Sequence, residues 1–292
     1  MEAITFKLAE LELAGLTNFS LSSPLENNKP VLLFIHGWQD NAATFSSLWQ
    51  RLEKDFNLVA IDLPGHGLSQ SRSGDNYYHF FDYIDDLHQV IMQLPATRVC
   101  LVGHSLGAII ASCYSAAYPQ LIDKLVLIEG LSPLVEEAEQ TVERLKRGIK
   151  SRQQYRKSSE RRKARAMSSF TEALQLRANV NDLPMTSLEP VVKRATIKRN
   201  GLWYWRHDHR LRCESLYRMT QQQAQAIMSS IEAPIYSIVG SHGFPQLRDD
   251  PQDKYKLQQF SQVVIVGGHH CHLEQPDTVS NCIRAFISLE RD

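Results

Sequence analysis

The sequence predicts an α/β protein with a mostly parallel central sheet flanked by helices. Six apolar runs of strand length each end in Gly, Asp or Pro, and helix-compatible segments lie between most of them. Continuous rather than alternating apolar strands, separated by helices, indicate a parallel sheet that is covered on both faces. The chain has 292 residues, of which 43% are hydrophobic, so it can bury a full core. In such a sheet the active site forms beyond the carboxyl ends of the strands.

The elements follow one another in a regular order. Ile4 to Leu13 alternates in part, as opening antiparallel strands do. The six apolar runs begin at Val31, Asn57, Arg98, Lys124, Pro234 and Gln262. The helix-compatible segments include Ala43 to Asp55, Phe80 to Leu94 and Thr278 to Arg291.

One long segment interrupts this order. From Leu131 to about Ser230 no buried-strand run occurs, and the residues are polar, helical in pattern and rich in Arg and Lys. A stretch of this length is too long for a loop. We therefore predict a core of residues 1–130 and 231–292, with residues 131–230 inserted as a helical cap over the strand ends.

Composition narrows the function classes. Lys plus Arg equals Asp plus Glu at 32 each, and this balance argues against a dedicated nucleic-acid binder. No apolar run approaches the length of a membrane span, and the first residues lack the apolar core of a signal peptide. The five cysteines are scattered without C-x-x-C spacing, which argues against a disulfide framework or a structural zinc site. We expect a cytoplasmic protein that does not span a membrane.

The most informative motif is Gly103-His104-Ser105-Leu106-Gly107. It follows one apolar run and precedes a helix-compatible stretch, which is the context that a G-x-S-x-G nucleophile turn requires. A serine on this strained turn lies at a helix N-terminus, where the helix dipole and free backbone N–H groups favour negative charge. Acyl transfer develops such a charge. Ser105 is therefore the candidate nucleophile.

Four motifs, in order, carry a family resemblance. They are His36-Gly37, Asp62 to Ser69, Gly103 to Gly107, and Gly268-His269 followed by His272 to Pro276. Together they resemble the α/β-hydrolase superfamily over nearly the whole chain except the predicted cap. The sequence is most similar to the cap-bearing serine hydrolase-like group, whose layout is related to haloalkane dehalogenases and epoxide hydrolases. Those two enzymes use an aspartate nucleophile, so Ser105 favours acyl transfer over halide or epoxide chemistry.

The resemblance also implies a base. A hydroxyl nucleophile needs a proton acceptor within hydrogen-bond reach, and three histidines lie between Gly268 and His272. The family's Gly-His pattern aligns on His269. We predict His269 as the base ahead of His270, and His272 as a structural neighbour. A metal site is a weaker alternative, because no matched carboxylate cluster accompanies the histidines.

The acid of the triad has two candidate positions. The acid of most family members follows the strand that corresponds to Pro234 to Gly240, but here no carboxylate occurs until Asp249. A second known placement is one strand earlier, where Glu129 ends an apolar run. We predict Glu129 as the acid, with Asp249 or Asp250 in reserve. The alternative for Glu129 is a structural contact with a backbone turn.

The resemblance further implies an oxyanion hole made by the backbone N–H groups of Trp38 and Leu106.

Asp62 to Ser69 is predicted to be a structural turn. Arg144 to Arg165 contains eleven Lys or Arg residues and one acid. We interpret it as a solvated cap helix, with recruitment of an anionic substrate or an acidic surface as the alternative. The cluster from Trp203 to Trp205 is expected to anchor the cap.

These residues together predict a serine hydrolase that cleaves carboxylic esters of a small or medium apolar substrate. Neither a metal nor an organic cofactor is implied, and a monomer or homodimer is expected. Two other functions stay open. A thioesterase or carbon–carbon bond hydrolase could use the same residues, and a catalytically silent homologue could keep the pocket for a ligand.

Overall fold

The structure is a computed structural model that describes residues 1–22, 25, 29–74, 76–159, 165–249 and 251–289. The strands are β1 (Glu2–Lys7), β2 (Glu12–Thr17), β3 (Val31–Ile35), β4 (Asn57–Ile61), β5 (Val99–His104), β6 (Ile122–Ile128), β7 (Thr196–Arg199), β8 (Leu202–Trp205), β9 (Ile235–Gly240) and β10 (Phe260–Ile265). The α-helices are α1 (Ser46–Leu52), α2 (Asp82–Ile91), α3 (Leu106–Ala117), α4 (Thr141–Ser159), α5 (Phe170–Asn181), α6 (Met185–Ala195), α7 (Gln221–Met228), α8 (Gln252–Tyr255), α9 (Cys271–Glu274) and α10 (Pro276–Ser288).

Eight strands form one mostly parallel sheet in the order β1-β2-β4-β3-β5-β6-β9-β10. β2 is antiparallel to β1 and β4, and the other neighbours are parallel. The predicted fold class is confirmed. Because six parallel strands end at one edge, their carboxyl ends bring together residues that are far apart in sequence.

The continuous apolar runs arise because both faces of the sheet are covered. In β3, Leu33 and Ile35 belong to the hydrophobic cluster under α2, α3 and α7. Leu32 and Phe34 point to the other cluster, under α1 and α10. Successive side chains of a strand point to opposite faces, so a strand buried on both faces shows no polar alternation.

The described residues between β6 and β9 add no strand to this sheet. A separate small apolar cluster around Met167, Leu174 and Leu188 fills the inside of the segment, and Leu273 from α9 joins it. α7 differs from the other helices of the segment, because its buried residues pack with α3 in the main hydrophobic cluster on that face of the sheet. The division of the chain at 130/131 and 230/231 stays a prediction.

The sequence predicts a helical segment here, but the structure also contains a β-hairpin. β7 and β8 form an antiparallel hairpin whose two connecting residues, Asn200 and Gly201, both have positive φ (48° and 80°). An Asn-Gly pair is the preferred two-residue hairpin turn, because both positions require positive φ. No helix within the described ranges is both long and apolar enough to span a bilayer.

Candidate active site

Ser105 lies on a strained turn between β5 and α3. Its backbone has φ 51° and ψ −115°, and it is the N-cap of α3. The Ser105 N–H donates to the Ile128 carbonyl (2.9 Å), and the Ser105 carbonyl accepts from Ala108 (3.0 Å). A Cβ on Gly107 would overlap the Ile35 carbonyl, so glycine is required for the close approach of strand and helix. These contacts hold a conformation that a residue with a side chain otherwise avoids.

Positive φ recurs at the ends of neighbouring strands. Six non-glycine residues in the described part of the chain have positive φ, and three of them are Gln39, Ser105 and Glu129. They follow β3, β5 and β6, which lie side by side in the sheet. Backbone strain of this kind concentrates at functional sites. The three loops therefore mark one site at the carboxyl edge.

The structure brings His269 and Glu129 together. The Nδ1 atom of His269 lies 3.1 Å from Oε2 of Glu129. A carboxylate only accepts hydrogen bonds, so Nδ1 is the donor of this contact, and in the neutral imidazole Nε2 is then the atom with the free lone pair. Glu129 is fully buried, whereas His269 is partly exposed. This pair has the geometry of a histidine oriented by an acid.

The loop after β9 completes the environment of Glu129. Oε1 accepts from the Gly240 N–H (2.7 Å), and Oε2 accepts from the Phe244 N–H (3.2 Å). A Cβ on Gly243 would overlap the carboxylate. The buried charge is therefore fully hydrogen-bonded, which offsets the cost of its burial. The backbone-turn contact considered for Glu129 exists, and it coexists with the contact to His269.

The first reserve acid, Asp249, does not occupy this position. Asp249 is exposed, and no contact between it and His269 is seen within the described ranges. Asp250 lies outside the described residues.

The other histidines of the cluster have separate partners. His270 contacts the Asn181 amide of α5, with Nε2 and Nδ2 3.1 Å apart. His272 is buried, and its Nε2 lies 2.9 Å from Oγ1 of Thr44. His104 is also buried, and its Nε2–H donates to the His269 carbonyl (2.9 Å). His104 thus fixes the backbone of His269.

Burial keeps these three imidazoles neutral. Desolvation lowers the pKa of His104 and of His272 well below the ordinary histidine value, and their histidine neighbours add to the effect. Desolvation also lowers the pKa of His270 to about 4. Although ring centroids in the cluster are 4.3–6.0 Å apart, no His, Cys, Asp or Glu group among the described residues is arranged to hold a metal ion.

The two N–H groups expected to form an oxyanion hole flank Ser105. Leu106 follows it as the first residue of α3, and a Cβ on Gly37, the residue before Trp38, would lie 3.1 Å from the Ser105 Cβ. Within the described ranges, neither the Trp38 N–H nor the Leu106 N–H donates to a protein acceptor. The Trp38 indole N–H donates to the Leu211 carbonyl (3.0 Å). That contact fixes the Trp38 side chain against the inserted segment.

Asp62 joins two loops at the strand ends to the inserted segment. It accepts from the N–H groups of Ala42 (2.8 Å) and Leu68 (2.7 Å), and forms a buried ion pair with Arg194 of α6 (2.8 Å). A Cβ on Gly67 would overlap its carboxylate. All of these contacts are structural.

Comparison with known proteins decides the family. The model of the alpha/beta hydrolase fold family matches residues 30–282. The chain belongs to the α/β-hydrolase family. Within it, the relatives are serine hydrolase-like. A serine hydrolase-like protein of Danio rerio is 29% identical over 89% of this chain and 82% of its own length. A "Probable serine hydrolase" of Drosophila melanogaster is 30% identical over 88% of this chain and 80% of its own.

Solved structures agree with this assignment. The crystal structure of the hypothetical protein PA1622 of Pseudomonas aeruginosa has a TM-score of 0.87, 29% identity, and coverage of 99% of this chain and all of the other. A thioesterase domain from the curacin biosynthetic pathway has a TM-score of 0.82 at 22% identity, over 97% of this chain and 99% of its own. The second likeness shows the fold alone. The predicted family and its serine hydrolase-like group are confirmed.

Sequence reasoning missed three supporting residues of this α/β-hydrolase. They are Gly243, which makes room for Glu129, Asn181, which contacts His270, and Thr44, which contacts His272. Only Gly243 had a visible signal, because a glycine stands where the family's common acid position lacks a carboxylate. The other two lie on elements far from the histidines in sequence.

Proposed function

We propose that this chain is a serine hydrolase that cleaves carboxylic esters of small or medium apolar substrates through an acyl-enzyme intermediate. The observation that carries the proposal is the contact between Glu129 and His269. Ser105 lies on a strained turn at a helix N-terminus, and its carbonyl borders Gly130, the residue after Glu129. A buried carboxylate on Nδ1 fixes the histidine tautomer and stabilises the imidazolium that forms during the reaction.

The proposed reaction has two steps. Ser105 Oγ attacks the ester carbonyl while His269 Nε2 takes its proton, and the Trp38 and Leu106 N–H groups bind the oxyanion. The alkoxide leaves with the proton from His269, and the acyl group stays on Ser105. Water then attacks the acyl-enzyme, again with His269 as base, and the acid product leaves. Glu129 orients His269 and does not take the proton itself.

Residues 131–230 form the cap in this proposal. Support comes from three contacts that join the segment to the strand ends. Asn41 donates to the Val191 carbonyl (2.9 Å), Asp62 pairs with Arg194, and the Asp208 N–H donates to Gly65 (2.9 Å). A cytoplasmic location, the monomer or homodimer and the acyl-chain preference stay predictions. Hydrolysis of p-nitrophenyl esters of increasing acyl length measures the last of these.

A fluorophosphonate probe tests the central claim, because it labels only an activated serine. We expect wild type to be labelled and to hydrolyse short esters, and Ser105→Ala to lose both while its melting temperature is unchanged. Ser241→Ala is the matched control, since Ser241 lies at the end of β9 and contacts His242 rather than the proposed triad. Absence of labelling in wild type would identify a silent homologue, and labelling of Ser105→Ala would place the nucleophile elsewhere.

A further inference from the structure

Helix α4 carries an apolar stripe on its outer face. Val142, Leu145 and Ile149 are spaced i, i+3 and i+7, so they lie along one side of the helix. Their exposed fractions are 62%, 42% and 48%. We call these three residues the α4 stripe. A row of exposed aliphatic side chains on one helix face is a candidate contact surface.

The buried face of α4, about 100° around the helix from the stripe, fixes this orientation. Arg144 is buried and pairs with Glu136. Gly148 is also buried, and a Cβ there would overlap the Leu216 side chain. The stripe is therefore on the outside because the inner face of the helix is bound to the protein.

Lysines border the stripe. Lys146, Lys150 and Lys157 are exposed and lie in one row of the helix beside the stripe, spaced i, i+4 and i+11. We call them the lysine row. Lys146 is 3.8 Å from Glu143 in an exposed pair, and such pairs contribute little. Within the described ranges, no carboxylate pairs with Lys150 or Lys157.

The charge of α4 is unbalanced although that of the chain is not. The helix from Thr141 to Ser159 contains seven Lys or Arg residues and one acidic residue, Glu143, whereas the whole chain has a net charge of zero. Two of the seven, Arg144 and Arg147, pair with Glu136 outside the helix, so the excess lies with the other five. Attraction to an anionic surface is therefore local to this helix and orients the protein toward it.

We propose that the α4 stripe and the lysine row bind the anionic surface of a lipid bilayer, with α4 parallel to the membrane plane. Aliphatic side chains beside lysines are the pattern of a helix that lies in the interface, because the apolar row enters the acyl boundary while the ammonium groups reach the headgroups. An acidic protein would pair with the lysines but would also have to cover the stripe. The proposal is independent of the hydrolase activity.

The stripe is short, so binding is reversible and depends on anionic lipid. Each lysine near an anionic surface strengthens binding by about fivefold at physiological salt. Added salt weakens this attraction. Binding should therefore be weaker to vesicles of phosphatidylcholine alone than to vesicles that also contain phosphatidylglycerol. It should also weaken as the salt concentration rises.

Vesicle flotation of the full chain tests the proposal. We expect wild type to float with phosphatidylglycerol-containing vesicles. The pair Leu145→Ser and Ile149→Ser should reduce the bound fraction by about tenfold. The pair Lys146→Gln and Lys150→Gln should reduce it by about twentyfold or more. All four positions are exposed, so the melting temperature should not change.

Matched controls lie elsewhere on the inserted segment. Val180 and Leu202 are exposed apolar residues of α5 and β8, and Lys193 and Lys198 are exposed lysines. Their replacement by Ser or Gln should leave flotation unchanged. Three results would overturn the proposal: wild type fails to float, the controls weaken binding as much as the α4 variants, or wild type binds polyglutamate beads in place of vesicles.

Discussion

The ends of β6 and β9 are neighbours in the sheet, but they contribute different things to the candidate site. The end of β6 supplies a charge, because Glu129 is buried there with φ 51° and its carboxylate contacts His269. The end of β9 supplies no carboxylate within hydrogen-bond reach of His269 among the described residues. Its Gly240 and Phe244 donate two N–H groups to Glu129, and Gly243 leaves room for the carboxylate.

This difference shows that the two loops act as one unit. A buried carboxylate is costly unless its oxygens are hydrogen-bonded. The acid on β6 therefore depends on the backbone of the β9 loop. Replacement of the acid should act mainly on catalysis, because it removes the charge on His269, whereas changes in the β9 loop should act through the position of Glu129.

Glu129→Gln should produce the largest effect of this comparison. The substitution keeps the shape but removes the charge that stabilises the imidazolium, so kcat for a p-nitrophenyl ester should fall by up to about ten-thousand-fold. Thermal stability should fall modestly, because the amide nitrogen of Gln cannot accept the hydrogen bond that one Glu129 oxygen receives. Asp249→Asn and Asp250→Asn are the controls and should retain near wild-type rates. Activity in Glu129→Gln together with its loss in either control would place the acid after β9.

Gly243→Ala should produce the next largest effect. The φ of Gly243 is not in the left-handed region, so alanine is compatible with the backbone and only space is lost. The new methyl group would displace the Glu129 carboxylate, and a shift of about 1 Å in a catalytic group costs roughly a hundredfold in rate. Steady-state kinetics should show the loss in kcat.

Gly74→Ala is the matched control for this variant. A Cβ at Gly74 meets nothing within 4 Å, so the rate should be unchanged. A Gly243→Ala enzyme with the wild-type rate would mean that the position of Glu129 does not govern catalysis.

Much of this comparison could be predicted from sequence, but not all of it. The apolar run before Glu129 predicted a buried strand, and the G-x-S-x-G pattern predicted the Ser105 turn, because both signals are local. The dependence of Glu129 on Gly243 could not be derived, since it arises only when β6 and β9 pair across a long insertion. The β7–β8 hairpin had a local signal, Asn200-Gly201, but its short strands within a polar segment lack a continuous apolar run.

The pKa of His270 tests whether the Glu129 charge acts mainly on His269 or also keeps His270 protonated. Desolvation lowers the pKa of His270 to about 4, and the charges of Asp40 and Glu129 raise it only in part. Histidine in an unfolded chain titrates at about 6.5. Below that pH the unfolded state binds more protons than the folded state, so the free energy of unfolding falls, until it levels off near the folded pKa.

Between pH 7 and pH 5 the contribution of His270 to this loss should be about 2 kcal/mol, or roughly thirtyfold in the unfolding equilibrium constant. Urea unfolding at both pH values measures it. The His270→Gln variant should lose less stability than wild type by this amount, because His104 and His272 contribute equally in both proteins. Equal losses of stability in wild type and His270→Gln would show that burial does not hold His270 neutral.

Phe244 gives the smallest and most selective test of the comparison, because its backbone and its side chain can be separated. The φ of Phe244 is −67°, which proline also adopts, so Phe244→Pro fits the turn, but it removes the N–H donor to Glu129 and places its ring Cδ against Oε2. Loss of a hydrogen bond to a charged group should lower kcat by at least about tenfold. Phe244→Ala keeps the N–H and removes only the ring, whose centroid lies 4.5 Å from that of His269, so its kcat should stay within a few-fold of wild type. If the β9 loop acts through its backbone, proline is the more harmful substitution. The reverse order in steady-state kinetics would assign the role of the loop to the aromatic side chain.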